Sequence, residues 1–478
     1  MNLHDELKRR FGFDRFRPGQ KEVIGAVLDG RDTLAILPTG MGKSLCYQLP
    51  GDLLDGLVII VSPLVSLMED QAASIRKRGE KRVAAVNSMM AAEQRKQLFA
   101  EIRQIKFLFI SPEMMNRPDM TRLLASQPVA LLVIDEAHCI SQWGFDFRPD
   151  YLKIGEFIRK AGNPRILALT ATADQRVEQD ILTYLNMQDA SVIRQSVNRP
   201  NIYYSLRRFD SIPEKNDWIA GRLKATSGPG VLYVASRKRS EELTQLLQKE
   251  GIQIAAYHAG KEAGDRQMIQ QQFLSGELDW ICATNAFGMG IHKDDIRQVI
   301  HDQMPASAAA YVQEAGRAGR DGKQSSAVLL SLPDDGQKIR FIVQNDLPDD
   351  TEVTYYARLR KAGNQREQAA ELAGISETGA RLIDHYAEQE NEAGIADIFT
   401  GLRFGKEEKL RQMMDYTTGN TCLRTKLLYY FGEQPPEQQD VCCSACGDPP
   451  EDWLGKQHAV LNERRLLPWE DRIRLLLC

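Results

Sequence analysis

The chain has 478 residues, 43% hydrophobic and 26% charged, with a formal net charge of −4, a length that suggests about three or four domains of a globular protein. No uninterrupted apolar run approaches the ~20 residues of a membrane-spanning helix, and the N-terminal MNLHDELKRRFGF lacks the apolar core of a secretory signal, so a cytoplasmic protein without membrane contact is expected. A slightly acidic chain is no general sponge for phosphates, and any nucleic-acid surface must be local.

Between residues 31 and 335, short β-rich runs (TLAILP, LVIIVSP, FLFISP, ALLVIDE, RILALTA, then GVLYVAS, IQIAAYH, WICAT and QVIHDQ) alternate with amphipathic helical stretches. This alternation predicts parallel sheets flanked by helices. The rhythm pauses over 197–208 and restarts after Gly228, Pro229 and Gly230. Two tandem parallel-sheet α/β domains are expected, 1–205 and 206–345, with a hinge between them. The β signal then stops. A helical region follows over 346–405, a small cysteine-bearing subdomain over 406–450, and a tail over 451–478 without a recognisable motif.

The first chemistry-bearing stretch is LAILPTGMGKS (34–44), a strand running into a glycine-rich turn that opens a helix. Thr39, Gly40, Met41 and Gly42 would curl backbone N–H groups around a phosphate, Lys43 would reach the β and γ oxygens, and the Ser44 hydroxyl would bind Mg²⁺. Leu37 stands where the general pattern has its first glycine. At LLVIDEAH (131–138) a second apolar strand delivers two carboxylates to its C-terminal end, the edge where ligands bind in such sheets. Asp135 is assigned to Mg²⁺ through water, Glu136 to orienting and deprotonating the attacking water, and His138 to coupling this site to its neighbours.

Near residue 311, YVQEAGRAGRDG reads as a helix carrying Gln313, Arg317 and Arg320 on one face, where arginines three apart reach the same anion; a solvated basic face is the alternative. An arginine finger from an opposing domain stabilises charge at a transferred phosphate and is worth on the order of 10³–10⁵ in rate. It acts only when the domains close, so nucleotide binding and release would drive the cleft shut and open. Of the eight cysteines, four are scattered and four fall within 422–446, a clustering that points to metal rather than a disulfide framework. Cys422 on a helix with Cys442, Cys443 and Cys446 on a turn offers four thiolates to a tetrahedral Zn²⁺; Asp440 in place of Cys442 is the alternative ligand set.

With LPTGMGKS, DEAH, LTATA (169–173) and QEAGRAGRDG in this order, the chain resembles a superfamily 2 helicase, and specifically the RecQ family. FGFDRFRPGQ (11–20) resembles that family's adenine-reading motif, CISQWGFDFRPDY (139–151) its aromatic-rich loop, AFGMGIHKDDIRQVIH (286–301) its motif V, and TCLRTKLLYYFGE with DVCCSACGD its zinc-binding subdomain. The resemblance implies ATP as the nucleotide, with Gln20 hydrogen-bonding the base edge and Arg17 supporting it. It also implies 3′→5′ unwinding of DNA, a role in repair and recombination, and single-stranded and forked DNA as partners. A monomer that meets single-strand-binding or recombination proteins is expected. SPLVSLMEDQ (62–71), Arg237, Lys238, His258 and Thr284 are candidates to track the DNA backbone, and each equally suits a helix cap or a solvated charge.

Four features depart from the family pattern. The cysteines are adjacent rather than in a C-x-x-C-x-x-C run, and Phe145 stands where many members have His. Residues 365–389 read as helix, turn at Gly374 and second helix, with Ala370, Ile375 and Ile383 at small or core positions; a DNA-binding helix-turn-helix and a pair of packing helices fit equally. About 30 residues follow the cysteines, so the winged-helix and HRDC domains of full-length members are expected to be missing. A DNA-stimulated translocase or remodeller without strand separation is therefore the competing reading.

Trp143, Phe145 and Phe147 with Arg148, just after the two carboxylates, are too aromatic for an ordinary exposed loop. Bases stacked on such rings gain about 1–3 kcal/mol each regardless of sequence; a hydrophobic plug between the domains is the alternative. Replacing Trp143→Ala is expected to abolish DNA stimulation of ATP turnover and spare the basal rate, measured with and without single-stranded DNA. Equal loss of both would remove the coupling role.

Overall fold

The computed structural model describes residues 2–87, 90, 92–141, 148–226, 228–288, 293–344, 347–387, 390, 392–435, 441–449 and 453–454. Its first domain holds a seven-stranded sheet in the order β3-β4-β2-β5-β6-β1-β7, with every strand pair parallel. The strands are β1 (Thr33–Ile36), β2 (Leu57–Val61), β3 (Val83–Val86), β4 (Phe107–Ile110), β5 (Val129–Ile134), β6 (Ile166–Thr170) and β7 (Ser191–Arg194). Continuous apolar runs form such strands because both faces are covered, and the two-residue repeat divides their side chains between two cores. Leu34, Ile36, Leu132 and Ile134 enter one core, while Ala35, Leu37, Leu131 and Val133 enter the other.

A six-stranded sheet follows in the order β10-β11-β9-β12-β13-β8, again all parallel. It comprises β8 (Ile202–Arg208), β9 (Gly230–Tyr233), β10 (Ile254–Tyr257), β11 (Trp280–Ala283), β12 (Gln298–His301) and β13 (Ser325–Ser331). The two RecA-like parallel sheets expected from the sequence are present. The pause read over 197–208 is only partly a linker, because β8 pairs along its whole length with β13 from Ile202 onward. The second domain thus opens inside the stretch first assigned to 1–205.

The region beyond β13 is helical, as expected. Helices Asp350–Lys361, Arg366–Ala373 and Glu377–Ala387 enclose a separate core with Ala370, Ile383, Phe399 and Leu402. The first is closed by an Asp349–Glu352 capping box, which satisfies two otherwise orphaned backbone donors. The helix, turn and second helix expected over 365–389 are present within the described residues: Gly374 takes φ 72 at the turn, a conformation that favours glycine. Its second helix leans on the first domain, where Arg381 pairs with Asp150 at 3.2 Å.

One 26-residue helix, Glu392–Thr417, crosses the boundary drawn at 405. Its first half completes the helical core through Ile395, Phe399 and Leu402, and its second half enters the core of the second sheet through Leu410, Met413 and Tyr416. Helix Leu423–Tyr430 and Cys442 and Cys443 join that same core. Among the described residues, no helix is long and apolar enough to cross a membrane. Phe399 is fully buried, so Phe399→Ala is expected to cost about 3–5 kcal/mol. Hydrogen exchange should show the loss of protection concentrated in 347–402, leaving the first sheet protected.

Candidate active site

β1 lies between β6 and β7, and its C-terminal end leads through the glycine turn into helix Leu45–Leu53. Gly40 and Gly42 adopt φ 85 and 72, positions at which a side chain would be strained. Space closes the turn further: a Cβ on Gly40 would lie 3.0 Å from Arg320 Cγ, and one on Gly42 would lie 2.8 Å from Gln20 Nε2. Gln20 is buried. Its Nε2 donates to the carbonyls of Met41 and Gly42 at 2.9 and 3.0 Å, and its Oε1 accepts from Arg17 N at 2.8 Å. Arg17 donates from Nη1 to the Gly40 carbonyl. These two residues thus buttress the phosphate turn directly, a role that their spacing alone did not reveal.

One strand away, β5 delivers Asp135 and Glu136, with β6 between it and β1. Glu136 takes the left-handed φ of 49, rare for a residue with a Cβ and common at functional sites. Its carboxylate lies 4.0 Å from Lys43 Nζ and 3.4 Å from His138 Nδ1. Burial, and then the neighbouring Glu136 carboxylate, push the Asp135 carboxyl up to about 7, against the pull of Lys43. His138 Nδ1 lies 3.0 Å from Thr170 Oγ1. Since that hydroxyl donates to the Thr172 carbonyl at 3.0 Å, it accepts from His138, which assigns the proton to Nδ1. His138 therefore ties the carboxylate pair to the LTATA segment.

Gln313 sits on helix Ala308–Ala315, which ends before the two arginines. Arg317 and Arg320 are thus on hydrogen-bonded turns rather than one helix face: Arg317 N donates to Glu314 O at 3.1 Å and Ala318 N to Ala315 O at 3.0 Å. Glycines at 316 and 319 break the predicted helix, and Gly319 requires φ 56. The intended convergence is nevertheless achieved. A single cleft is lined by Thr39, Gly40, Gly42, Lys43, Ser44, Asp135 and Glu136 from one domain and by Gln313, Arg317 and Arg320 from the other. Met41 contributes its carbonyl to Gln20. Burial, and then repulsion from Arg317, pull the Arg320 guanidinium down to about 10, still charged at neutral pH. Among the described residues, the buried Nε of Arg317 has no hydrogen-bond partner, as suits a donor kept for an anion.

A second interdomain cleft shares Gln313 and Arg317 with the first and is lined also by Leu64, Asp70, Arg148 and Asn285. Arg148 donates to the Pro63 carbonyl at 2.9 Å. His258 is buried and paired with Glu241 at 2.8 Å, and Thr284 receives the Ala286 N–H at 3.4 Å; neither lines this cleft, while their neighbours Tyr257 and Asn285 do. Trp143, Phe145 and Phe147 lie outside the described residues.

The four cysteines converge. Their Sγ atoms all lie within 4.8 Å of one another, with Cys422–Cys442 and Cys443–Cys446 at 3.5 Å and Cys422–Cys443 at 3.8 Å. Tetrahedral Zn–S bonds of about 2.3 Å separate sulfurs by about 3.8 Å, so the thiolates fit zinc. Asp440 lies outside the described residues. Two arginines escaped the sequence reading altogether: Arg199 in the linker, which bridges the domains, and Arg424, buried on the zinc-module helix.

A phosphate turn, a carboxylate pair one strand away and an arginine pair from a second sheet define a two-domain P-loop NTPase of the helicase type. Sequence models of the DEAD/DEAH box helicase, the helicase conserved C-terminal domain and the RecQ zinc-binding region match residues 17–181, 214–322 and 333–447; the last includes the helical unit. The chain is 43% identical to the probable ATP-dependent DNA helicase RecS of Bacillus subtilis, over 93% of this chain and 92% of that protein. It is 36% identical to the ATP-dependent DNA helicase RecQ of Haemophilus influenzae, over 94% of this chain but 64% of that protein. In fold it is similar to Mycobacterium smegmatis helicase Lhr bound to ssDNA and AMP-PNP, with 19% identity, a TM-score of 0.59, and 87% and 57% of the two chains covered. The chain belongs to the RecQ family of ATP-dependent DNA helicases.

Arg317→Ala is expected to lower kcat for ATP by roughly 10³-fold or more while affinity for a fluorescent ATP analogue changes by less than about tenfold. A parallel loss of affinity would mean that Arg317 binds the ground state rather than the transition state.

Proposed function

We propose that this protein is a DNA-dependent ATPase that moves 3′→5′ along single-stranded DNA and unwinds duplexes, acting in DNA repair and recombination in the cytoplasm. The observation that carries the reading is the shared cleft, in which Lys43, Asp135 and Glu136 of one sheet face Gln313, Arg317 and Arg320 of the other. Lys43 would hold the β and γ phosphates. Ser44 and Asp135 would hold Mg²⁺, which neutralises phosphate charge when bound. Glu136, fixed by Lys43 and His138, would orient the attacking water and take its proton, and the arginines would stabilise charge on the transferred group.

The second cleft opens beside the first and shares Gln313 and Arg317 with it, which supports a route by which DNA contact reaches the catalytic groups. The names of RecS and RecQ as ATP-dependent DNA helicases support DNA as the substrate. A forked duplex with a 3′ single-stranded tail should be unwound in an ATP- and Mg²⁺-dependent way, and its 5′-tailed counterpart should not. Reversed preference would overturn the polarity; translocation on single strands with no duplex opened would assign a translocase instead.

A further inference from the structure

Arg199 occupies the linker between the two sheets, and its guanidinium is spent on main-chain carbonyls of both domains. Nη1 donates to Thr39 O at 3.3 Å and to Gly316 O at 3.1 Å; Nη2 donates to Ala318 O at 3.2 Å and to Gly319 O at 2.7 Å. Thr39 opens the phosphate turn, and residues 316–319 form the turn that carries Arg317 and leads to Arg320. The two turns also touch directly, because Thr39 Oγ1 donates to the Gly316 carbonyl at 3.2 Å. The planar guanidinium fork suits such multiple acceptors, whereas an ammonium has no rigid fork to span them.

The backbone around Arg199 is gripped in turn by the cysteine module. Arg424 donates to Asn198 Oδ1 at 2.7 Å, to Arg199 O at 2.8 Å and to Ile202 O at 2.6 Å, and its Nε reaches Cys442 Sγ at 3.4 Å. Glu433 accepts the Val197 N–H at 3.0 Å and the Ser196 hydroxyl. The linker is therefore fastened to the module on both sides of Arg199.

We propose that Arg199 is a positioning residue for ATP hydrolysis, a latch that sets the register of the arginine turn against the phosphate turn, with Arg424 holding the latch from the cysteine module. This rests on the ATPase reading above. Arg199 touches neither reacting atom; it acts through Arg317 and Arg320, whose placement relative to the γ-phosphate decides whether they stabilise the transition state.

The test is a double-mutant cycle. Arg199→Ala should lower kcat roughly 10²-fold, the scale of a 1 Å misplacement, with KM and melting temperature close to those of the parent. In an Arg317→Ala background the same substitution should cost less than about threefold, because groups acting as a unit are strongly non-additive. Arg199→Lys, which keeps charge but not the fork, should fall between, and it carries the test if the alanine variant does not fold. Unchanged kcat, an equal loss in both backgrounds, or a loss in KM alone would overturn the latch. An inactive parent chain would overturn the ATPase reading instead.

Discussion

Two guanidinium groups three residues apart, Arg317 buried and Arg320 partly so, line a cleft that already holds Lys43 and Arg17. Bringing such charges out of water is expensive, and their mutual repulsion adds to the cost. Asp294, which lines the same cleft, offsets part of that cost at Arg320, while Glu136 pairs with Lys43 across from it. Everything else follows from the need to present these groups from two separate sheets. Each sheet offers only its C-terminal edge for ligand contact, so a site with basic groups on one side and carboxylates with a phosphate turn on the other requires two sheets facing each other.

Much of this was legible in the sequence because the groups that carry charge chemistry are bound to rigid local patterns. The glycines at 40 and 42 have no alternative to positive φ, and Asp135 follows four consecutive buried apolar residues that can only be a strand in a covered sheet. The four cysteines cluster in sequence as they do in space. Less legible was whatever depended on pairing between distant segments. β8 looked like a linker because its alternation is broken by Tyr203, Tyr204 and polar residues, yet it gains its place by pairing along β13. β3 and β7 are four-residue strands, and the latter is half exposed, too short and mixed for a periodic signal.

The arginine turn shows a different kind of limit. Spacing alone suggested a helix face, but Gly316 and Gly319 end the helix, and the two guanidiniums meet through tight turns. The destination was right and the local geometry was not. Arg17 lines the cleft while Gln20 is buried behind it, and side-chain donors of both are engaged by the phosphate turn itself. Arg199 and Arg424 had no motif to mark them, since their roles consist of carbonyls supplied by segments more than a hundred residues away.

The helix Glu392–Thr417 is about 39 Å long at 1.5 Å per residue. Its two halves belong to two different cores, so one continuous helix joins them. One end is anchored to the second sheet and the cysteine module; the other carries the helical unit that meets the first domain at Asp150. With the linker, this gives the two domains a second connection through the helical unit. The helical unit thus reaches the first domain far along the chain from the linker, and the part-exposed Arg381–Asp150 pair is one of the contacts that seat it there.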